Sequence, residues 1–154
     1  MKNIERLSVD ISNFGEKVID NLIEAQSNTA FVIQQDAKEL APKDTGEYAE
    51  SIQLGETTYD GSVIRTSVYT DATVNAISTG TTYNLGRLIE EGTRPHDIEP
   101  IQANVLHFVK GGKDVFAKHV FHPGTIAQPH FIPALNMNIA LYHRNISKAI
   151  KEAK

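Results

Sequence analysis

Cysteine is absent from the 154 residues. Without a thiol there can be no disulfide, no thiolate nucleophile and no cysteine-ligated zinc, and a reducing compartment fits such a chain. No stretch approaches the roughly 18 consecutive apolar residues that a membrane-spanning helix needs. The opening Met1-Lys2-Asn3-Ile4-Glu5-Arg6 lacks the apolar block of a secretory signal. A basic surplus is missing too. Fifteen Lys and Arg stand against 19 Asp and Glu, a formal net charge of -4, which argues against a nucleic-acid binder. There is no Gly-x-Ser-x-Gly elbow, no glycine loop of phosphate-binding spacing, no His-Glu-x-x-His pair and no internal repeat.

What is present suits a globular protein. Apolar residues make up 40% and charged residues 22% of the chain, too apolar for a disordered tail. The length fits a single domain over residues 1–154 with a buried core. Charge is unevenly spread: residues 1–62 carry 5 basic and 12 acidic side chains, 63–109 carry 3 and 5, and 110–154 carry 7 and 2. Either both ends are simply solvated, or an acidic front and a basic rear attract each other between copies. The second arrangement is head-to-tail and closes into a ring.

Residues 4–40 read as one long helix. Leu7, Ile11, Phe14, Val18, Leu22, Ala25, Thr29, Ile33, Ala37 and Leu40 recur at spacings of three and four, one face of a 3.6-residue period. Ala41-Pro42 ends it. Such a helix spans about 55 Å, against a radius of gyration of about 15 Å for a domain of this size. It either bends, at Gly15 or Ser27-Asn28-Thr29, or rests its apolar stripe on a neighbouring subunit. Asp44-Thr45-Gly46-Glu47 has the spacing of a capping box, with Asp44 as N-cap of a short turn reaching about Ser51.

Strand signals follow at 51–54 and 63–69, around an Asp60-Gly61 turn, and the small polar residues 71–82 read as a mobile loop. Tyr83–Glu91 reads as a short helix closed by Gly92, with Leu85, Leu88 and Ile89 inward. Lys110-Gly111-Gly112-Lys113 joins strands 105–109 and 114–120 in a hairpin. From Ala134, the residues Leu135, Ile139, Tyr142, Ile146, Ala149 and Ile150 outline a second amphipathic helix with a basic end. The expected class is α+β: a small antiparallel β-sheet packed by the long N-terminal helix and the C-terminal helix.

Five of the six histidines lie between His96 and His130. His96, His107, His119 and His122, with Asp97 or Glu99 as carboxylate, are the candidate ligands for a metal-dependent hydrolase. The alternative is histidines at turns and interfaces. Glu90-Glu91 places like charges at the negative end of a helix, which hints at a partner-facing role. The stiff run from Phe121 to Leu135, with three prolines, is either a helix-docking loop or a contact surface.

Four motifs carry a resemblance. Ala41-Pro42-Lys43-Asp44-Thr45-Gly46 with Ser51-Ile52 is the first. Tyr83 through Glu90-Glu91-Gly92-Thr93 is the second. Ile98-Glu99-Pro100 with Leu106-His107-Phe108 is the third. His122-Pro123-Gly124-Thr125, then Pro129 through Pro133-Ala134-Leu135, is the fourth. In this order, over roughly residues 25–140, the chain resembles the tail-completion (head–tail joining, or minor tail) proteins of tailed phages. Glu91 and His130 depart from the aromatic or apolar residues usual there.

The resemblance implies a structural virion protein, assembled in the host bacterial cytoplasm. It would form a homo-oligomeric ring, typically a hexamer, at the head-proximal end of the tail. It would join the tail tube to the neck, connector or stopper proteins. The resemblance implies neither an enzymatic activity nor a cofactor. It makes Pro42, Asp44, Thr45, Gly46, Ser51, Ile52, Tyr83, Glu90, Gly92, Thr93, His122, Pro123, Gly124, Pro129 and Pro133 turn or interface residues. A small metal-dependent hydrolase and a non-viral protein-binding adaptor are the competing functions.

Overall fold

The computed structural model describes residues 2–75, 80–100 and 103–153, with side chains from residue 13 onward. The fold is α+β, with a long N-terminal helix, a C-terminal helix and small antiparallel sheets. It falls into two compact units, Met1–Tyr69 with His130–Lys154, and Thr70–Pro129.

The first unit is built on two helices. Helix α1 runs uninterrupted over Lys2–Leu40, with neither Gly15 nor Ser27-Asn28-Thr29 breaking it. Helix α4 covers Phe131–Glu152. It starts three residues before the expected Ala134, because Pro133 sits in the first turn, where a missing N–H costs no helical bond. Three asparagines tie the helices together. Asn21 Nδ2 donates to Ala149 O (3.1 Å), Asn145 Nδ2 to Thr29 Oγ1 (3.0 Å), and Asn138 Nδ2 to Asp36 Oδ2 (2.5 Å). Rising numbers on α1 meet falling numbers on α4, so the two are antiparallel.

Small side chains make this packing possible. Thr29, Ala30, Ala37, Ala134, Asn138 and Ala149 are buried. The expected apolar stripe of α4 divides: Ala149 is buried and Ile146 half-buried, while Leu135 is 51% exposed and Ile139, Tyr142 and Ile150 are exposed as well. Periodicity located the apolar stripe but does not say which way it faces. The helix rests on α1 through Ala134, Asn138, Asn145 and Ala149, while Ile132, Leu135, Ile139 and Tyr142 stay exposed.

A short helix α2 (Glu47–Glu50) and strand β1 (Ile52–Leu54) follow α1. Ala37, Ala41, Ala49, Ile52 and Ala134 form the core, with Ile33, Tyr48, Val68 and Phe131 packed on it. Strands β2 (Thr58–Tyr59) and β3 (Ile64–Arg65) pair as a small antiparallel hairpin, and β4 (Val68–Thr70) pairs with β1. The single expected strand over 63–69 is thus two strands with different partners. Asp60 holds the β2–β3 turn. Its Oδ1 accepts from Ser62 N (3.0 Å), Ser62 Oγ (2.8 Å) and Val63 N (2.9 Å), and its Oδ2 accepts from Arg65. The Arg65 guanidinium, then these donors, hold the Asp60 carboxyl far below the usual carboxylate range.

The second unit contains three ladders. Strands β5 (Thr73–Asn75) and β6 (Thr82–Asn84) pair antiparallel, Val74 opposite Tyr83, where a mobile loop over 71–82 was expected. Residues 76–79 of that expected loop lie outside the described residues. Tyr83 is therefore a strand residue. Helix α3 (Leu85–Glu91) starts after it, because Asn84 Oδ1 accepts from Arg87 N (3.0 Å) as an N-cap. Gly92, at φ 71, ends α3 as expected.

Strands β8 (Leu106–Lys110) and β9 (Lys113–Ala117) form the expected hairpin. Gly111 and Gly112 both have positive φ, 59 and 75, as a two-residue type I′ turn demands. The strand expected to reach residue 120 stops at Ala117. Val120 begins a new strand, β10 (Val120–His122), which pairs with β7 (His96–Ile98).

Candidate functional site

Three of the four sequence motifs, the first, second and fourth, converge as two structural joints. The first joint lies in the helical unit and combines the first motif with the end of the fourth. After Ala41, which is buried, Pro42 is half-buried and Asp44 is exposed. The chain then enters α2 through Gly46 at φ 84, a left-handed conformation that glycine adopts without a Cβ penalty. Gly46 is consequently the N-cap, and the expected Asp44–Glu47 capping box does not form. Asp44 is two residues too early, and Thr45 Oγ1 accepts from Glu47 N instead, at 3.4 Å. Ser51 Oγ donates to Tyr48 O (2.6 Å) at the end of the same turn, and Ile52, 1% exposed, plugs the core.

Tyr48 then meets His130, which lies just beyond the exposed Pro129. The Tyr48 hydroxyl and His130 Nε2 are 2.6 Å apart, with the rings edge to face. His130 is fully buried and also packs against Phe131, with ring centroids 4.5 Å apart. An imidazole fits this interior where a phenyl ring would not, because it satisfies a phenol hydroxyl that burial would otherwise strip of water. Sequence reading treated His130 as a departure from pattern. Only the later pairing of two aromatic rings 82 residues apart reveals its role.

The second joint lies in the other unit and combines the second motif with the beginning of the fourth. Thr93 and Thr125 face each other in an antiparallel bridge. Thr93 N donates to Thr125 O (3.0 Å), Thr125 N to Thr93 O (3.2 Å), and the two hydroxyls are 2.9 Å apart. The bridge continues the register of β7 and β10, in which His96 lies opposite His122. That register sets Pro95 opposite Pro123. Neither has an N–H, so the ladder lapses there and resumes at the threonines.

The glycines beside the threonines allow this close approach. A Cβ on Gly92 would lie 2.6 Å from Thr125 O and 2.8 Å from Ala127 N. One on Gly124 would collide with Thr93 O and the Arg94 carbonyl carbon. Both glycines also have positive φ, 71 and 83. Gln128 N donates to Ile89 O (2.8 Å), fastening the same segment to α3. Glu90, on that helix, is half-buried. Glu91 is paired with Arg87 at 3.1 Å, one turn earlier, which offsets the like-charge crowding.

The histidines distribute along this ribbon. His122 Nδ1 accepts from Gly124 N (3.1 Å), and His96 Nδ1 lies 2.9 Å from Arg94 O, to which only a protonated nitrogen can donate. In the neutral forms His122 therefore carries its proton on Nε2 and His96 on Nδ1. Their ring centroids are 5.0 Å apart. His119 Nε2 pairs with Asp97 Oδ1, and His107 Nε2 with Asp114 Oδ1, each at 2.8 Å and exposed. His107 also stacks on Phe116. Among the described residues, no three histidine or carboxylate groups gather where they could share a metal ion.

Outside the joints, the helical unit carries an apolar groove of about 370 Å³. Ala30 and Ile33 of α1, Val68 of β4, and Leu135, Ile139 and Tyr142 of α4 line it. On its α4 side Ile132, Leu135, Ile139 and Tyr142 are all exposed. Their spacing of three, four and three is that of a helix-packing seam.

The chain matches no family model, no curated protein and no solved structure.

Proposed function

We propose that the chain is a structural assembly protein of a tailed-phage virion, which forms a ring at the head-proximal end of the tail and joins the tail tube to the neck proteins. One observation carries the reading. Helix α4 buries its small residues against α1 and leaves the large apolar seam Ile132, Leu135, Ile139 and Tyr142 uncovered. Apolar area held out of a fold is the usual mark of a surface made for a partner.

The motifs of the resemblance support the same reading. Their residues are spent on turns and joints: Gly46, Gly92 and Gly124 on positive-φ turns, Thr93 and Thr125 on a bridge, and Ile52 on a core. Stiff joints hold a surface in one shape, so little ordering entropy is lost on assembly. No helix among the described residues is long and apolar enough to cross a membrane.

Electron microscopy of the purified protein, alone and with tail tubes, tests the proposal. Rings seated on one end of the tubes are expected. Protein that stays monomeric and leaves both tube ends bare at saturating concentration overturns it.

A further inference from the structure

We propose that the second joint is a proton-sensitive latch, closed while the His122 ring is neutral and released when that ring takes up a proton. The register dictates its parts. Thr93 and Thr125 exchange both backbone hydrogen bonds, so hydrogen-bonded and non-hydrogen-bonded pairs alternate outward from them along the antiparallel ribbon. Pro95 and Pro123 fall on a hydrogen-bonded position that neither can use. Arg94 with Gly124, and His96 with His122, fall on non-hydrogen-bonded positions. There the backbone N–H and C=O point out of the ladder. The Gly124 N–H and the Arg94 carbonyl therefore need partners from elsewhere.

The two histidines supply those partners with the same atom in opposite roles. His96 Nδ1 donates to Arg94 O (2.9 Å), whereas His122 Nδ1 accepts from Gly124 N (3.1 Å). A proton added to His96 goes to Nε2 and leaves the bond to Arg94 intact. A proton added to His122 goes to Nδ1, the very atom that accepts from Gly124, and sets two N–H groups against each other. The ring then has to turn away. Because only the neutral ring makes the bond, the bond is present on the alkaline side and is lost as the pH falls.

The surroundings push the same way. The rings are cross-strand partners with centroids 5.0 Å apart, and like charges directly opposite on a ladder repel. By strand alternation Arg94 shares their face, while Asp97, paired with His119, lies on the other. Among the described residues no third histidine or carboxylate joins the pair, as a metal site would need. Neither ring has a carboxylate partner of the kind that His107 and His119 have. Gly124, at φ 83, leads directly into Thr125 of the bridge. Releasing its amide loosens the bridge next door and the segment that follows, where Ile126 is 89% exposed.

Nuclear magnetic resonance of the full-length, isotope-labelled protein tests the latch. In alkaline solution the ring-nitrogen signals are expected to show His96 protonated on Nδ1 and His122 on Nε2. Amide exchange, corrected for its intrinsic rate, is then followed from about pH 8 to about pH 5, the range in which an imidazole changes charge. Protection of the Gly124 and Thr125 amides is expected to fall at least about fivefold, the effect of losing one neutral hydrogen bond. His122→Asn offers Oδ1 in place of Nδ1 and cannot titrate, so its protection should stay level over the same range.

The same tautomer on both rings, or Gly124 protection that acid leaves unchanged, overturns the latch. An equal fall in His122→Asn also overturns it, by placing the acid sensitivity elsewhere. If His122→Asn does not fold, the wild-type tautomers and the Gly124 protection still decide. The outcome is independent of whether the protein caps tail tubes.

Discussion

Two glycines and two threonines hold the second joint, and the geometry leaves no slack at either glycine. Gly92→Ala or Gly124→Ala would place a methyl group against backbone atoms while forcing a non-glycine residue to positive φ. We expect each to cost roughly 2–4 kcal/mol, measured as a fall in the urea midpoint. The double variant should lose much less than the sum, because one bridge is broken either way. At the other joint, Tyr48→Phe removes the hydroxyl that meets the buried His130. A loss of about 1 kcal/mol is expected from the same titration.

At the scale of elements, the two faces of α4 make opposite demands. Ala134 is fully buried between the helices, so Ala134→Leu overpacks the core and should cost about 1–3 kcal/mol. Its neighbour Leu135 faces out, so Leu135→Ala should stay within about 0.5 kcal/mol. Thermal unfolding of the pair checks both. The β2–β3 turn adds a pH dependence. Since Arg65 and three donors depress the folded pKa of Asp60, its contribution is present above its ordinary titration near 3.8 and is lost as the pH falls through the lower folded value. The group is exposed and the effect correspondingly small. Asp60→Asn should flatten the acid-side loss of amide protection at Ser62 and Val63.

These elements also mark what was legible in advance. Period and punctuation located α1, the Gly111-Gly112 hairpin, the end of α3 and both stripes, because those signals are local. Direction was not legible. A stripe of Leu135, Ile139 and Tyr142 looks the same whether it faces a core or a partner. The choice was made by Asn138 and Asn145, which reach Asp36 and Thr29 more than a hundred residues away. The first and fourth motifs were visible as words, but not their meeting through Tyr48 and His130, nor the Thr93–Thr125 bridge. The Asp44 capping box failed because Gly46 reverses the chain locally, a choice that spacing alone does not encode.

For the molecule as a whole, the proposed assembly role requires that the apolar seam on α4 serve contacts between proteins and contribute little to folding. The double variant Leu135→Asp and Ile139→Asp tests it most directly, with the thermal midpoint and the fraction of protein seated on tail-tube ends measured on the same sample. A midpoint within a few degrees of wild type and no seated rings are expected. A variant that unfolds, or one that still caps the tubes as wild type does, would contradict it.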